Sequence, residues 1–377
     1  MIDYTNRKPK VLLTNASDIY SGGEYFVLEF GKKLKERNYD VIICCHPGNL
    51  LYDKAKDAGI SLFGFDFPIK GGVFKTAKLL SKYIKQHRID IVHSNNNYDR
   101  TTGGFAAKLA GAGHITMNHS FHSISHNITQ YIRNQYCTDY FLVDGFCTKE
   151  LLVKKDKINE DKVKVIHLGI EPESMQRDLA ARKKVRDEFN ISDDTILFGN
   201  TGRLVEFKGQ EYLIRTFAEV NKQFADTKLM IVGNGKLEKD LKELTASLGL
   251  TDKVIFPGFR DDMQACYSAF DIYLHSSVEG GGETFPFSVL YSLAQGIPAV
   301  VTDVGDVARM IDEGVTGFAV KDKNPQAMTE KILYLLNNRN LIGEFGSNAL
   351  KLLHQKFTLD IMADNIIDVY NKIKLRM

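Results

Sequence analysis

The chain lacks most of the features that would tie it to a lipid bilayer core, an oxidising compartment or a nucleic acid. No apolar run approaches the roughly 20 residues a membrane-spanning helix needs. Cysteine is sparse, five in 377 residues, with Cys44 and Cys45 adjacent and no pair spaced C-x-x-C. That excludes a disulfide framework and a cysteine-based zinc site. The first ten residues, Met-Ile-Asp-Tyr-Thr-Asn-Arg-Lys-Pro-Lys, hold no apolar core of the kind that directs secretion. A cytoplasmic protein is therefore expected. There is no internal repeat, no low-complexity segment and no basic stripe interleaved with aromatics, so nucleic acid is not an expected partner.

What remains is a globular composition, 44% hydrophobic and 25% charged. At 377 residues the chain exceeds one ordinary core, and two domains are expected. The net charge of +2 hides an asymmetry. Residues 1–169 carry 24 Lys and Arg against 17 Asp and Glu, whereas the rest carries 25 against 30. Either the first half meets an anionic surface, or the imbalance lies among solvated faces.

Short apolar runs alternate with helical spacing throughout. Strands are expected over 11–15, 41–45, 61–65, 91–93, 115–117 and 140–143, with helices over 24–35, 54–58, 74–87 and 102–110 between them. Gly22 and Gly23 read as the turn after the first strand. The rhythm restarts after the polar stretch 171–192. Strands are expected over 196–198, 228–232, 254–256, 272–274 and 299–301, and helices over 210–224, 237–248, 261–268, 286–295 and 306–312. Repeated strand–helix units imply parallel sheets with right-handed crossovers, hence two doubly wound α/β domains. A ligand site is expected between them, at the carboxyl ends of the strands.

Two segments carry the chemistry. In Gly199-Asn-Thr-Gly202-Arg203-Leu-Val-Glu-Phe-Lys208-Gly209 a strand delivers two cations to its carboxyl end. In Glu283-Thr284-Phe285-Pro-Phe287-Ser288 a glutamate precedes a proline-started helix whose first N–H groups attract an anion. Two fixed cations and a helix N-terminus suit a departing nucleoside diphosphate. The turns Gly233-Asn-Gly235 and Pro257-Gly-Phe259-Arg260 offer backbone to a base edge. His119, His122 and His126 could share a helical face, but no carboxylate completes a metal set and no metal is expected. Lys75, Lys78, Lys82, Lys85 and Arg88 recur at three and four residues, with Leu79, Leu80, Tyr83 and Ile84 as the apolar side. That cationic face suits either an anionic membrane surface or plain solvent. Glu206 reads as a surface ion-pair residue.

Together, Gly-Arg-Leu-Val-Glu-Phe-Lys-Gly, Val-Gly-Asn-Gly, Glu-Thr-Phe-Pro-Phe-Ser-Val-Leu and Gly-Ile-Pro-Ala-Val-Val-Thr-Asp-Val-Gly resemble the retaining glycosyltransferases of family 4. The resemblance runs from Ser21-Gly-Gly-Glu24 to Gly314-Val-Thr-Gly317 and is more specific in the C-terminal half. It implies the GT-B fold, two Rossmann-like domains facing a cleft. The expected division is an acceptor-binding domain over 1–170, a nucleotide-sugar domain over 171–360, and a final helix over 361–377 packing back on the first domain. His167-Leu-Gly-Ile-Glu171 stands where the family enters its second domain.

By the same resemblance, Arg203 and Lys208 hold the donor diphosphate, Gly22 and Gly23 let backbone approach it, and His119 faces the reacting sugar. Glu283 touches the sugar as the first of two glutamates spaced eight apart. The second falls on Tyr291, where a phenol makes one hydrogen bond instead of the two a carboxylate accepts from ribose. If the hydroxyl simply stands in for that carboxylate, restoring the acid gains about 1–2 kcal/mol of binding. Gly202, Gly233, Gly235, Phe259, Arg260, Thr284, Phe285, Phe287 and Ser288 complete the expected donor site. The donor is a nucleotide sugar, UDP- or GDP-linked, used as substrate with no further cofactor. The acceptor is a glycan or a lipid-linked glycan, as in bacterial surface polysaccharide or lipopolysaccharide assembly. The expected place is the cytoplasm, at the inner face of the plasma membrane if the basic half meets lipid. Two alternatives stay open: a catalytically weak GT-B subunit that binds nucleotide or glycan, suggested by Tyr291, and a nucleotide-sugar epimerase.

Overall fold

The computed structural model describes residues 7–67, 72–119, 121–124 and 127–373. The chain divides into two compact units, after Leu168 and again before Leu359.

In the first unit the short apolar runs form seven strands: Val11–Asn15 (β1), Val41–Cys45 (β2), Ser61–Gly64 (β3), Ile91–Ser94 (β4), Gly113–Asn118 (β5), Tyr140–Val143 (β6) and Val163–Val165 (β7). Helices Gly22–Glu36 (α1), Leu50–Asp57 (α2), Val73–Gln86 (α3), Asp99–Ala110 (α4), Ile128–Ile132 (α5) and Phe146–Lys154 (α6) connect them. The strand order is β3-β2-β1-β4-β5-β6-β7. Every pair is parallel. Residues of β1, β2 and β4 are buried throughout, as in sheets covered on both faces. The order reverses between β1 and β4, and such a switch point opens a crevice at the strands' carboxyl ends.

The second unit begins with Leu179–Glu188 (α7). Its strands are Ile196–Thr201 (β8), Thr227–Val232 (β9), Val254–Gly258 (β10), Ile272–His275 (β11), Ala299–Thr302 (β12) and Gly317–Val320 (β13). Helices Gln210–Gln223 (α8), Glu238–Ser247 (α9), Met263–Ala269 (α10), Phe287–Ala294 (α11), Pro325–Asn337 (α12) and Asn340–Lys356 (α13) complete it. The order β10-β9-β8-β11-β12-β13 reverses between β8 and β11, so these two strands deliver their ends to one crevice. Phe198, Leu213, Phe217, Leu229, Ile231 and Leu274 lie in the core on one side of this sheet. The last helix, Leu359–Tyr370 (α14), belongs to the first unit. Arg37 reaches Asp360 at 2.8 Å and Asp364 at 3.0 Å, and the Tyr370 hydroxyl lies 2.8 Å from His93 Nδ1 in the interior.

Several local expectations change. Gly22 and Gly23 are not a turn but the first residues of α1. Glu24 Oε2 accepts from the Ser21 N–H at 2.9 Å and its hydroxyl at 2.7 Å, which starts the helix two residues early. The helix expected at 306–312 is a single 3-10 turn, Val307–Met310, in which Arg309 N–H bonds back three residues to Asp306. Within the polar stretch 171–192 stands α7, held by charge: Asp178 caps it, and Arg182 and Arg186 reach Asp271 at 2.7 and 3.3 Å. On α3 the buried face is Ala77, Leu80, Ser81 and Ile84, whereas Leu79 is exposed on the lysine side.

Candidate active site

In the second unit the crevice between β8 and β11 gathers the charged residues that sequence spacing singled out. β8 ends at Thr201. Gly202, at φ +151°, turns the chain sharply, and Arg203 and Lys208 follow on the loop before α8. The Arg203 side chain is exposed, and among the described residues no carboxylate pairs with it. Its carbonyl accepts from Gln210 Nε2 at 3.0 Å, which fixes the loop to the start of α8. Phe207 lies between the two cations, its ring 5.6 Å from the Arg203 guanidinium and 5.5 Å from Lys208 Nζ.

Lys208 does not stand alone, because its ammonium pairs directly with Glu283. Glu283 Oε2 also accepts from Ser277 Oγ at 2.9 Å and faces His275 Nε2 at 3.8 Å. Burial raises the affinity of this carboxyl for a proton, but His275 and Lys208 together outweigh it and hold Glu283 well below the usual carboxylate range. Burial also lowers His275, against the pull of Glu283. Thr302 ties the group to β12, donating to the Ser277 carbonyl at 2.6 Å. Gly305, at φ +56°, packs where any Cβ would collide with the Glu283 carbonyl. Glu283 is thus positioned from both its side chain and its backbone.

Helix α11 follows. Pro286 is its N-cap and Phe287 its first residue, one position later than expected; because proline carries no N–H, the first N–H groups of the helix are those of Phe287 and Ser288 either way. Thr284 and Phe285 are buried, and Phe285 packs edge-on against Phe357. The Ser288 carbonyl accepts from Tyr267 at 2.9 Å. Tyr291 sits in an aromatic cluster. Its ring stacks on Phe287, centroids 6.1 Å apart, and meets Tyr267 edge-on at 5.7 Å. The Tyr267 hydroxyl in turn bonds Thr201 Oγ1 at 2.6 Å, at the end of β8.

The turns after β8, β9 and β10 are knitted through backbone. Gly202 N–H reaches the Val232 carbonyl, Leu204 N–H the Asn234 carbonyl and Gly233 N–H the Gly258 carbonyl, each at 2.9 Å. A Cβ at Gly233 or Gly235 would strike this backbone, so both positions require glycine. Phe259 is exposed. The Arg260 fork is occupied by Asp262 and Glu188, each at 2.7 Å, which leaves the backbone of that turn as its offering to a ligand. Glu206 lies in an exposed ion pair with Lys236.

In the first unit, the N-terminus of α1 and the segment after β5 come together. Gly23 lies against the His119 ring, and Phe26 meets the same ring edge-on at 4.8 Å. Glu24 Oε1 accepts from Asn15 at the end of β1. Burial pushes His119 down to about 4, with Glu24 opposing and Arg100 assisting. Its Nε2 is buried without a hydrogen-bond partner among the described residues, as are both amide atoms of the neighbouring Asn118. His122 does not continue a helix, because the next helix starts only at Ile128; His126 lies outside the described residues.

Sequence spacing missed His275, Ser277 and Asn118. The first two lie at the end of β11 and inside the loop to Glu283, and only the pairing of β11 with β8 brings them to Lys208. Asn118 carries one faint signal, an amide at the carboxyl end of a strand just before a histidine.

Two family models cover most of the chain. Residues 181–352 match the glycosyl transferases group 1 model, and residues 20–174 match Glycosyltransferase Family 4. The chain belongs to glycosyltransferase family 4. A family relative, an uncharacterized glycosyltransferase of Methanocaldococcus jannaschii, is 33% identical over 222 residues, covering 58% of this chain. The chain spans 56% of that relative's length and about half of the other first matches. The UDP-Gal:alpha-D-GlcNAc-diphosphoundecaprenol alpha-1,3-galactosyltransferase of Escherichia coli is 21% identical across 97% of both chains. Among solved structures, the family fold matches a glycosyltransferase from Rickettsia africae with a TM-score of 0.87, at 23% identity over 97% of this chain and 98% of the other. The two doubly wound units are those of the GT-B fold.

Proposed function

We propose that this chain is a retaining, nucleotide-sugar-dependent glycosyltransferase that extends a glycan or lipid-linked glycan in bacterial surface polysaccharide assembly. The observation that carries this reading is the convergence of Arg203, Lys208, Glu283 and the start of α11 at the β8–β11 crevice. An always-charged guanidinium and an ammonium offset the charge that develops on a departing diphosphate, so the step asks for no metal ion. Glu283, held as a carboxylate, accepts hydrogen bonds from hydroxyls of the donor sugar. Among the described residues the partners of Glu283 are Lys208, Ser277 and His275, none of them a carboxylate, and same-face substitution assisted by the leaving phosphate is the step that fits. The Escherichia coli relative uses a UDP sugar and a diphosphoundecaprenol-linked acceptor by name, which supports both substrate classes.

The anionic-surface part of the reading rests on α3. Lys75, Lys78, Lys82, Lys85 and Arg88 are all exposed, and no carboxylate pairs with them among the described residues. Phe74 and Leu79, also exposed, add apolar contact to that face. No helix among the described residues is long and apolar enough to cross a membrane; the proposed association is peripheral, at the inner face of the plasma membrane.

A second reading, a catalytically weak subunit, draws on the aromatic setting of Tyr291. One experiment separates the two. A panel of UDP and GDP sugars is offered without acceptor, and release of nucleoside diphosphate is followed together with the thermal shift each compound gives. Slow hydrolysis of one stabilising donor supports the enzyme. Stabilisation with no turnover, even with lipid-linked acceptor added, supports the binding subunit.

A further inference from the structure

A cavity of about 600 Å³ opens in the second unit against the loop that carries Arg203 and Lys208. Its volume falls within the range of small-molecule pockets, about 300–1,000 Å³. Its walls are the start of α8, the start of α9 and the loop from Val278 to Gly281. None of Arg203, Lys208, Glu283, Tyr291, Gly233 or Gly235 lines this cavity; Phe207 and Gly209, from the loop that carries the two cations, do. The cavity is therefore a separate place beside the donor cations.

Its floor is apolar and aromatic: Phe207, Tyr212, Leu241 and Leu244. Phe207 and Tyr212 are both half-buried, so each still presents part of its ring. Phe207 is held in place, because a Cβ at Gly281 would collide with it and the two cations flank it. The rim is charged with both signs. Glu211, Asp240 and Glu279 are exposed carboxylates, Arg215 and Lys323 exposed cations. Among the described residues none of these five is in an ion pair, unlike Glu206, which Lys236 neutralises.

The chemistry of this lining selects one class of ligand. A nucleotide or phosphate would meet more carboxylates than cations. A lipid chain would leave a charged rim desolvated, which is costly. A neutral oligosaccharide meets neither penalty. Its hydroxyls donate to Glu211, Asp240 and Glu279 and accept from Arg215 and Lys323, while its C–H faces lie on the Phe207 and Tyr212 rings. We propose that this cavity is a subsite for a neutral oligosaccharide on the nucleotide-binding unit, one side chain away from the donor cations. Describing the bound sugar as acceptor or growing product rests on the transferase reading above; the binding itself does not.

The test uses the full chain and three probes: maltotriose, mannotriose and the β-(1→4)-linked trimer of N-acetylglucosamine. Saturation-transfer NMR and calorimetry are run with and without excess UDP, on the wild type, Tyr212→Ala and Leu244→Trp, with melting curves to verify folding. At least one trisaccharide should bind, and UDP should not displace it. Tyr212→Ala should weaken that binding at least 5-fold, and Leu244→Trp, which fills the cavity, should abolish it while UDP affinity stays within 2-fold. Should neither variant hold its fold, Asp240→Ala at the exposed rim takes their place, with the same 5-fold criterion. Failure of all three sugars to bind overturns the proposal, as does binding that ignores the variants. Binding of oligolysine in place of the sugars would overturn it in favour of a cationic peptide. If trisaccharide binds and UDP does not, the donor reading fails and this one stands; the converse result separates them the other way.

Discussion

At the scale of single residues, the deciding position is Tyr291. If its hydroxyl merely replaced a carboxylate, Tyr291→Glu would tighten nucleotide binding. The structure points the other way. The ring stacks on Phe287 and abuts Tyr267, whose hydroxyl is committed to Thr201 and the Ser288 carbonyl. A carboxylate introduced there would give up the ring's stacking on Phe287 and lie against the aromatic faces of Phe287 and Tyr267, a poorer setting for a charge than water. Calorimetry with UDP and GDP should therefore show weaker binding by Tyr291→Glu, with a lowered melting temperature. Tighter binding would mean that the family's ribose contact carries over after all. Residues were legible in unequal measure. Arg203, Lys208 and Glu283 stand out because charge follows a strand or precedes a helix, a local pattern. Their mutual arrangement did not, since Lys208 and Glu283 are 75 positions apart and meet only through the sheet order. The orphaned amide of Asn118 was equally hidden, because an unsatisfied group is defined by its surroundings.

Among the elements, α3 carries the clearest expectation. Four exposed lysines on one helical face, with Arg88 just past the helix end, are worth about 1 kcal/mol per charge near anionic lipid, and the attraction falls as salt shortens the screening length. Replacing Lys75, Lys78, Lys82 and Lys85 by Gln should release the protein from phosphatidylglycerol-containing vesicles in sedimentation, and raising salt should do the same to the wild type. Insensitivity to both would leave the lysines as a solvated face. The strands were the most legible elements, because Val- and Ile-rich runs such as Val41–Cys45 end at turn residues. What escaped was short or held by polar contacts. β7 and β13 offer only 3 and 4 residues of pattern. Helix α7 is fastened by Arg182 and Arg186 to Asp271, across the unit, instead of by an apolar stripe. The early start of α1 depends on one carboxylate reaching back to Ser21.

For the whole molecule, buried histidines set the response to acid. Burial pushes His93 down to about 3 and His119 to about 4, and lowers His114 and His275 as well. The unfolded chain takes up these protons near pH 6.5, before the folded protein can. The stability they contribute is present above that pH and is lost as pH falls toward the folded values. Asp99 acts in the opposite sense: burial raises it to about 7, so its contribution falls as pH rises from about 4 to 7. Four histidines outweigh one aspartate, and the melting temperature should fall between pH 7 and 4.5. Asp99→Asn, which removes the opposing group, should steepen that fall in scanning calorimetry. A melting temperature that rose on acidification would contradict the burial of these rings. The central claim, that this chain transfers sugar from a nucleotide donor whose diphosphate rests on Arg203 and Lys208, is tested most directly by the turnover of Arg203→Ala. This side chain is exposed and makes no ion pair among the described residues, so its loss should leave the melting temperature unchanged. The account predicts turnover reduced by about 100-fold or more, and a similar loss for Lys208→Ala; a folded Arg203→Ala with near-wild-type turnover would contradict it.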